Sequence, residues 1–222
     1  MTIAQGKISL DDRGCAYSPE FGDVYASKDG AYEQSRFVFL GGNRLPERWQ
    51  GRDQFTIVEN GFGLGTNFLT TLKAWREDPQ RSGKLFYLAV EGFPLQASNI
   101  KTLPFSSLKA QAEELAGKWP TLTPGVHRLT FDEGRVVLDL YFMPSSAAAK
   151  KLSGAFDAFY PDGFSPKRIR RCGSPDCSRR FVRTLEKVPH WRLGAWLRPS
   201  ERLLRKRDSR SKRFRVSDTS QK

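Results

Sequence analysis

Three glycines at alternate positions separate an apolar run from a helical pattern in Ile57-Val58-Glu59-Asn60-Gly61-Phe62-Gly63-Leu64-Gly65-Thr66-Asn67-Phe68. The run that begins at Phe55 is typical of a strand, and Phe68, Leu69, Leu72 and Trp75 recur with helical spacing. Glycine permits positive φ angles and close approach to a ligand, and the N–H groups at a helix start attract polar or anionic groups. The stretch predicts a strand, a tight turn and a helix. The turn either binds a nucleotide-like ligand or is purely structural.

A second strand that ends in an acid follows. Leu85–Val90 is a continuous apolar run, as in strands buried on both faces, and Glu91 comes directly after it. Strand, glycine turn, helix and strand make a βαβ unit. In dinucleotide folds an acid at this position binds ribose hydroxyls, because a carboxylate accepts two hydrogen bonds from a diol. The alternative for Glu91 is a solvated strand end.

Later elements lead to a third acid at the end of a strand. The patterns predict a helix over 106–117, a hairpin over 127–142, a short helix over 145–152 and a strand over 155–160, which runs into Asp162. Open α/β sheets bind ligands outside the carboxyl ends of their strands. We therefore expect Glu59, Glu91 and Asp162 to converge on one crevice. His127, without a partner nearby in sequence, is expected to be structural.

Residues 1–54 predict an irregular lead-in with short strands. The apolar run Phe37–Leu40, bounded by Gly41-Gly42-Asn43, is one candidate strand. The segment Phe21–Tyr25 favours a loop packed on the domain edge over a lid above a ligand.

Positive charge is concentrated in the last quarter of the chain. The net charge is +13, but residues 1–168 carry 20 Lys+Arg against 19 Asp+Glu, whereas residues 169–222 carry 17 against 5. The sequence therefore predicts a lead-in at 1–54, a core at 55–168 and a basic tail at 169–222. The three cysteines, Cys15, Cys172 and Cys177, form neither a disulfide framework nor a convincing zinc site, and favour a reducing cytoplasm. We expect no membrane span and no signal peptide.

The motifs together resemble one enzyme family. The stretch Val58–Leu69 resembles the glycine motif of the tRNA 5-methylaminomethyl-2-thiouridine methyltransferases, found alone or fused to an FAD oxidoreductase that acts on CH–NH donors. The similarity extends to Asp23-Val24-Tyr25-Ala26-Ser27, Phe37–Leu40 with Gly42-Asn43, Arg48-Trp49, Val90–Leu95, Trp119-Pro120, Pro124-Gly125, His127-Arg128 and Asp157–Pro166. It covers most of residues 10–168.

The resemblance implies a Rossmann-like α/β methyltransferase domain that uses S-adenosylmethionine and no metal, with tRNA as partner. Its cofactor-binding residues would be Tyr25, Glu59, Gly61, Phe62, Gly63, Gly65, Asn67 and Glu91. Asp162 would be the catalytic carboxylate, and Gly163, Phe164 and Lys167 would contact the substrate. The chain departs from the family in two places: Met143-Pro144 replaces the usual Gly-Asp, whose acid lies near the adenine, and Pro161 replaces an apolar residue.

A third departure begins at Ile169. The family continues Asn-Pro-Glu-Met-Trp, and deletion of one nucleotide from codons for that segment gives Ile169-Arg170-Arg171-Cys172-Gly173, the sequence observed. One hypothesis is that residues 169–222 are a frameshifted or disordered tail and that the domain is incomplete at its C-terminal end. The other is a genuine basic arm whose charges bind phosphates and whose aromatic side chains stack on bases.

Three functions follow from these patterns. The first is N-methylation of the 5-aminomethyl group of wobble 2-thiouridine in tRNA. The second is an inactive family member that only binds cofactor or RNA. The third is a nucleotide-cofactor oxidoreductase, which the spacing of Gly61, Gly63 and Gly65 disfavours because it lacks the two-residue gap of the dinucleotide fingerprint.

Overall fold

The computed structural model describes residues 3–10, 16–20, 22–26, 30–103 and 106–162, with the backbone alone for residues 23–26. The N-terminal part forms a small antiparallel sheet of β1 (Ser9–Leu10), β2 (Ala16–Ser18) and β3 (Asp23–Ala26). Helix α1 (Ala31–Ser35) continues into a π-helical turn, Arg36–Leu40, and a 3-10 turn, Gly41–Asn43.

The core consists of five strands and four helices. In chain order they are β4 (Gln54–Asn60), α2 (Thr66–Glu77), β5 (Lys84–Glu91), α3 (Ala97–Ile100), α4 (Lys109–Gly117), β6 (Gly125–Phe131), β7 (Val136–Phe142), α5 (Ser145–Lys151) and β8 (Ala158–Pro161). The strand order is β6-β7-β5-β4-β8. The strands β7, β5, β4 and β8 are parallel, and β6 is antiparallel to β7.

Alternation along the central strand assigns its side chains to two different layers. Ile57 packs with Phe68 and Leu72 of α2 on one face, whereas Val58 packs with Ala148 and its neighbours in α5 on the other. Successive side chains of a strand point to opposite faces, so a strand covered on both sides is apolar throughout. The predicted βαβ unit, the hairpin, the short helix and the late strand are all present.

Three predicted elements differ from the structure. Phe37–Leu40 is helical and not a strand: Phe39 and Leu40 are buried whereas Phe37 is 78% exposed. A run of four apolar residues is too short to distinguish the two periods. The predicted loop at 21–25 contains strand β3 over its last three residues. The helix predicted from 106 begins as a 3-10 turn, Ser106–Leu108, and becomes α-helical at Lys109.

Candidate active site

The glycine turn joins the carboxyl end of β4 to the first turn of α2. Gly61 donates its N–H to the carbonyl of Val90 in the neighbouring strand at 2.9 Å. The φ angles of Gly61, Gly63 and Gly65 are 97°, 55° and 78°, in the region that glycine adopts readily. A Cβ on Gly65 would lie 2.9 Å from the ring of Phe62, so this position has no room for a side chain.

Glu91 connects the end of β5 to this turn. Its Oε2 accepts the N–H of Gly63 at 2.8 Å, and its Oε1 accepts the N–H of Phe93 at 2.8 Å. Burial raises the pKa of the Glu91 carboxyl, and the backbone N–H groups offset part of that rise. The Glu91 side chain is nevertheless partly exposed at the end of β5.

Glu59 is fully buried under the turn. Asn67 donates its Nδ2–H to Oε1 at 2.8 Å, and Tyr87 donates its hydroxyl to Oε2 at 3.0 Å. Burial and the charge of Asp162 raise the pKa of the Glu59 carboxyl well above its ordinary value, against the effect of its two donors. The predicted contact between Glu59 and a cofactor is therefore not available to its side chain, because protein groups surround it completely.

Asp162 stands at the exposed end of β8. Its Oδ2 accepts from Nδ2 of Asn67 at 2.7 Å, the same nitrogen that donates to Glu59. One amide of α2 thus joins the acids that end two neighbouring strands. The structure joins Glu59 to Asp162 through Asn67 and joins Glu91 to the glycine turn, whereas Glu59 itself is buried and does not line a crevice as the sequence predicts.

The remaining predicted site residues have different surroundings. The side chain of Phe62 is in the core, stacked on Trp119 with ring centroids 5.7 Å apart, so only its backbone is available to a ligand. Strand β3 contains Tyr25, for which the structure describes the backbone alone. Gly163, Phe164 and Lys167 lie outside the described residues, as does the tail at 169–222.

Sequence analysis missed the hydroxyl groups behind the acids. Tyr87 contacts Glu59, and the Tyr160 hydroxyl lies 3.3 Å from that of Thr71, which in turn donates to the carbonyl of Asn67. Burial raises the pKa of the Tyr87 hydroxyl further from neutrality, so it serves as a donor. A tyrosine within an apolar strand was the available signal, because a buried hydroxyl requires a partner.

Neither His127 nor the start of α5 adds a catalytic group to the site. Nε2 of His127 lies 2.8 Å from the carbonyl of Thr123, and its ring packs against Phe142, as expected of a structural side chain. Where the family usually has its adenine-side acid, Pro144 is exposed at the start of α5. The next residue, Ser145, donates its hydroxyl to Oδ1 of Asn60 at 2.6 Å.

The side chains with titratable groups at the glycine turn are acids. Within the described residues, no Lys or Arg forms an ion pair with Glu59 or Glu91. In the same part of the chain, no three His, Cys, Asp or Glu side chains are grouped as a metal site requires. None of the helices described there has the length and apolar character needed to cross a bilayer. Carboxylates at this turn suit a ligand that has hydroxyls and positive charge.

Comparison with known proteins defines the class. Residues 106–185 match the family model of S-adenosyl-L-methionine-dependent methyltransferases. The crystal structure of MnmC2 from Aquifex aeolicus superposes with a TM-score of 0.55 at 22% identity, over 74% of this chain and 51% of that one. The fold is that of a Rossmann-like methyltransferase domain.

Sequence similarity to curated proteins is higher. The chain is 48% identical over 168 residues to the tRNA 5-methylaminomethyl-2-thiouridine biosynthesis bifunctional protein MnmC of Aromatoleum aromaticum, over 75% of this chain and 26% of that protein. It is 44% identical over 189 residues to the Cupriavidus necator protein of the same name, over 84% and 28%. This chain belongs to the family of the MnmC methyltransferase domain.

The ranges of these matches can be compared with the predicted domain boundaries. The chain spans about a quarter of the length of the curated relatives it matches. The match to the family model continues to residue 185, beyond the boundary at 168 that the sequence predicts. The division into 1–54, 55–168 and 169–222 stays a prediction.

Proposed function

We propose that this chain uses S-adenosylmethionine to methylate the 5-aminomethyl nitrogen of wobble 2-thiouridine in tRNA. The observation that carries the proposal is the group of acids at the glycine turn, where Glu91 is partly exposed, Asp162 is exposed and Glu59 is buried behind Asn67. The names of the similar proteins suggest the tRNA substrate. Such a substrate, and a sequence with too few cysteines for a disulfide framework, favour a cytoplasmic location.

The charge of the crevice favours this cofactor over a dinucleotide. S-adenosylmethionine has a positive sulfonium and, at neutral pH, a positive ammonium group, which carboxylates attract. A pyrophosphate at the same turn would meet the negative charges of Glu91 and Asp162. The acids therefore support methyl transfer over the oxidoreductase alternative.

Each accessible group has a distinct task in this proposal. The backbone of Gly61 and Gly63 would lie against the cofactor, and Glu91 would accept hydrogen bonds from its ribose hydroxyls. S-adenosylmethionine, when bound, supplies the methyl group as an electrophile. Asp162 would orient the substrate amine and accept a proton from it, because an alkylammonium has no lone pair for attack. Holding amine and methyl group in line supplies the rest of the catalysis.

A methylation assay tests the proposal. The full chain is incubated with labelled S-adenosylmethionine and tRNA that carries 5-aminomethyl-2-thiouridine, next to the same tRNA with an unmodified wobble uridine. Transfer to the first tRNA alone is the expected result. Absence of transfer from the chain, with transfer from a frame-restored version of the same gene, would refute the proposed activity.

That outcome would support the second candidate, an inactive member that binds cofactor or RNA. Its basis is the change in charge at residue 168, together with Met143-Pro144 at the adenine-side position. Calorimetry separates the two functions, because the second predicts binding of S-adenosylmethionine without turnover. Sequencing of the gene around codon 169 tests the frameshift directly, and an intact downstream frame without a family-like reading contradicts it.

A further inference from the structure

Trp119 lies in the connection between α4 and β6 and contacts three segments at the carboxyl end of the sheet. Its ring stacks on that of Phe62 in the glycine turn, with centroids 5.7 Å apart, and tilts on that of Phe142, the last residue of β7, with centroids 5.8 Å apart. Its indole N–H donates to the carbonyl of Leu95, in the loop after β5, at 2.9 Å. One partly buried side chain thus joins the ends of three neighbouring strands, β7, β5 and β4.

The glycine turn depends on such contacts because its own residues constrain it little. Gly61 and Gly63, on either side of Phe62, have positive φ angles and no side chain. Glycine loses more conformational freedom on folding than other residues, so the turn adopts one conformation only where other contacts hold it. The buried ring of Phe62 packs on Trp119 and leaves no room for a Cβ at Gly65. A side chain that fixes this ring therefore fixes the backbone on both sides of it.

The loop after β5 is held by the same tryptophan. This loop follows Glu91, whose carboxylate accepts the N–H of Gly63 at 2.8 Å, and it contains the buried Leu95. The hydrogen bond from Trp119 to the carbonyl of Leu95 ties the loop to the connection before β6. Both partners of the bond between Glu91 and Gly63 are thus supported by Trp119, one through Leu95 and the other through Phe62.

We propose that Trp119 is a positioning residue for the cofactor, which acts through Phe62 and Leu95 to hold the glycine turn and the loop after β5 in the arrangement that binds S-adenosylmethionine. The inference rests on the proposed function, because it takes S-adenosylmethionine as the ligand. Without the stacked ring, Phe62 loses a partner and the turn adopts further conformations. The dissociation constant then rises by the factor by which the population of the binding arrangement falls.

Two substitutions of Trp119 separate the ring from its N–H group. Trp119→Leu removes both, and should raise the dissociation constant of S-adenosylmethionine, measured by calorimetry, by about 10- to 100-fold, as expected when the binding arrangement is populated a tenth of the time or less. Trp119→Phe keeps an aromatic ring and loses one neutral hydrogen bond, so the constant should rise by only about threefold. Recovery by the conservative variant identifies the stack as the main contact.

Trp75 provides the matched control. It is a fully buried tryptophan at the end of α2 that is far from the glycine turn, and its indole N–H donates to Oγ of Ser82 at 3.1 Å. Trp75→Leu should lower the melting temperature at least as much as Trp119→Leu does, because it empties a more deeply buried position. Measured below both melting transitions, its dissociation constant for S-adenosylmethionine should equal that of the wild-type chain.

Fluorescence gives a second readout that uses conservative variants alone, and it decides the matter if Trp119→Leu fails to fold. The emission of a tryptophan depends on its neighbours, and the ring of Trp119 is stacked on the turn that is proposed to contact the ligand. S-adenosylmethionine should therefore change the emission of the wild-type chain and of Trp75→Phe. The same addition should leave the emission of Trp119→Phe unchanged.

The outcomes are distinct for the two proposals. A dissociation constant that is the same in wild type and Trp119→Leu, an equal rise in Trp75→Leu, or an emission change that persists in Trp119→Phe overturns the positioning role and leaves the proposed function intact. Failure of the wild-type chain to bind S-adenosylmethionine contradicts both.

Discussion

The acids at the two ends of the central sheet have different surroundings. At the amino ends of the strands, Asp157 pairs with Arg52 at 2.8 Å, and buried Asp78 accepts hydrogen bonds from Trp49, Gln50 and the backbone of Gln80. Burial alone would raise the pKa of Asp78, but these donors keep it below its usual value. At the carboxyl ends, burial raises the pKa of both Glu59 and Glu91.

The difference supports the proposal that the carboxyl end of the sheet binds the ligand. An acid that folding has already supplied with cations and donors stabilises the fold when ionised. An acid that is buried without a nearby cation disfavours its ionised form even when it accepts hydrogen bonds, and perturbed pKa values of this kind cluster at functional sites. We call the amino end of the sheet the structural end and the carboxyl end, where the ligand is proposed to bind, the reactive end.

The largest effect is expected from removing the exposed acid of the reactive end. Asp162→Asn should lower the rate of methyl transfer by about 10²–10⁴-fold, because an amide cannot accept the proton of the substrate amine. Initial rates at saturating S-adenosylmethionine measure this effect, with the melting temperature as a control for folding. Rates close to wild type would show that Asp162 is not the base.

Substitutions at the structural end should change the free energy of unfolding and not the affinity for S-adenosylmethionine. Asp78→Ala leaves the fully buried indole N–H of Trp49 without its partner at 2.7 Å, and should lower the free energy of unfolding by about 1–3 kcal/mol. Urea denaturation measures the loss. Asp78→Asn, which retains one acceptor oxygen, should lose less, and neither variant should change the affinity for S-adenosylmethionine by calorimetry.

Neutralising the buried acid of the reactive end should change the free energy of unfolding in the opposite direction. The pKa of Glu59 is raised by burial and by Asp162, so the folded chain binds its proton more tightly than the unfolded chain does. That stabilisation is complete below the unfolded pKa of about 4.3 and is lost as pH rises through the folded pKa. Glu59→Gln should therefore gain stability relative to wild type as pH increases, in urea denaturation at several pH values. A difference that is constant with pH would contradict the assignment.

The smallest effect concerns the adenine side of the crevice. Pro144→Asp restores an acid where the family usually has one, at an exposed position at the start of α5. One added hydrogen bond is worth about 0.5–1.5 kcal/mol, so the affinity for S-adenosylmethionine should rise by no more than about tenfold. Pro144→Ala separates the effect of the acid from that of losing proline.

Local patterns predict the fold well where they are long. Strand β4, the glycine turn, α2 and β5 follow from hydrophobic period and from glycine, because each feature acts within a few residues. The short run Phe37–Leu40 is helical in the structure, and Phe39 packs there on Tyr160 from a distant strand, with ring centroids 5.1 Å apart. Its period could not be read from four residues.

The site is predictable in position and not in detail. That Glu59, Glu91 and Asp162 meet follows from parallel strands that end at one edge. That Glu59 is inaccessible depends on Tyr87 and Asn67, which tertiary packing brings to it from two other elements. The inward orientation of Phe62 likewise depends on Trp119, far away in sequence.

Strand β8, with four residues, is the shortest of its sheet, and in the described part of the chain it pairs with β4 alone. Edge strands with one partner are the ones most readily released. Separation of β8 from the sheet would remove Asp162 while leaving Glu91 and Gly63 bonded to each other on β5 and the glycine turn. A chain in that state would keep the groups proposed to hold the methyl donor and lose the one proposed to accept the proton. It would then bind its cofactor without catalysing methyl transfer.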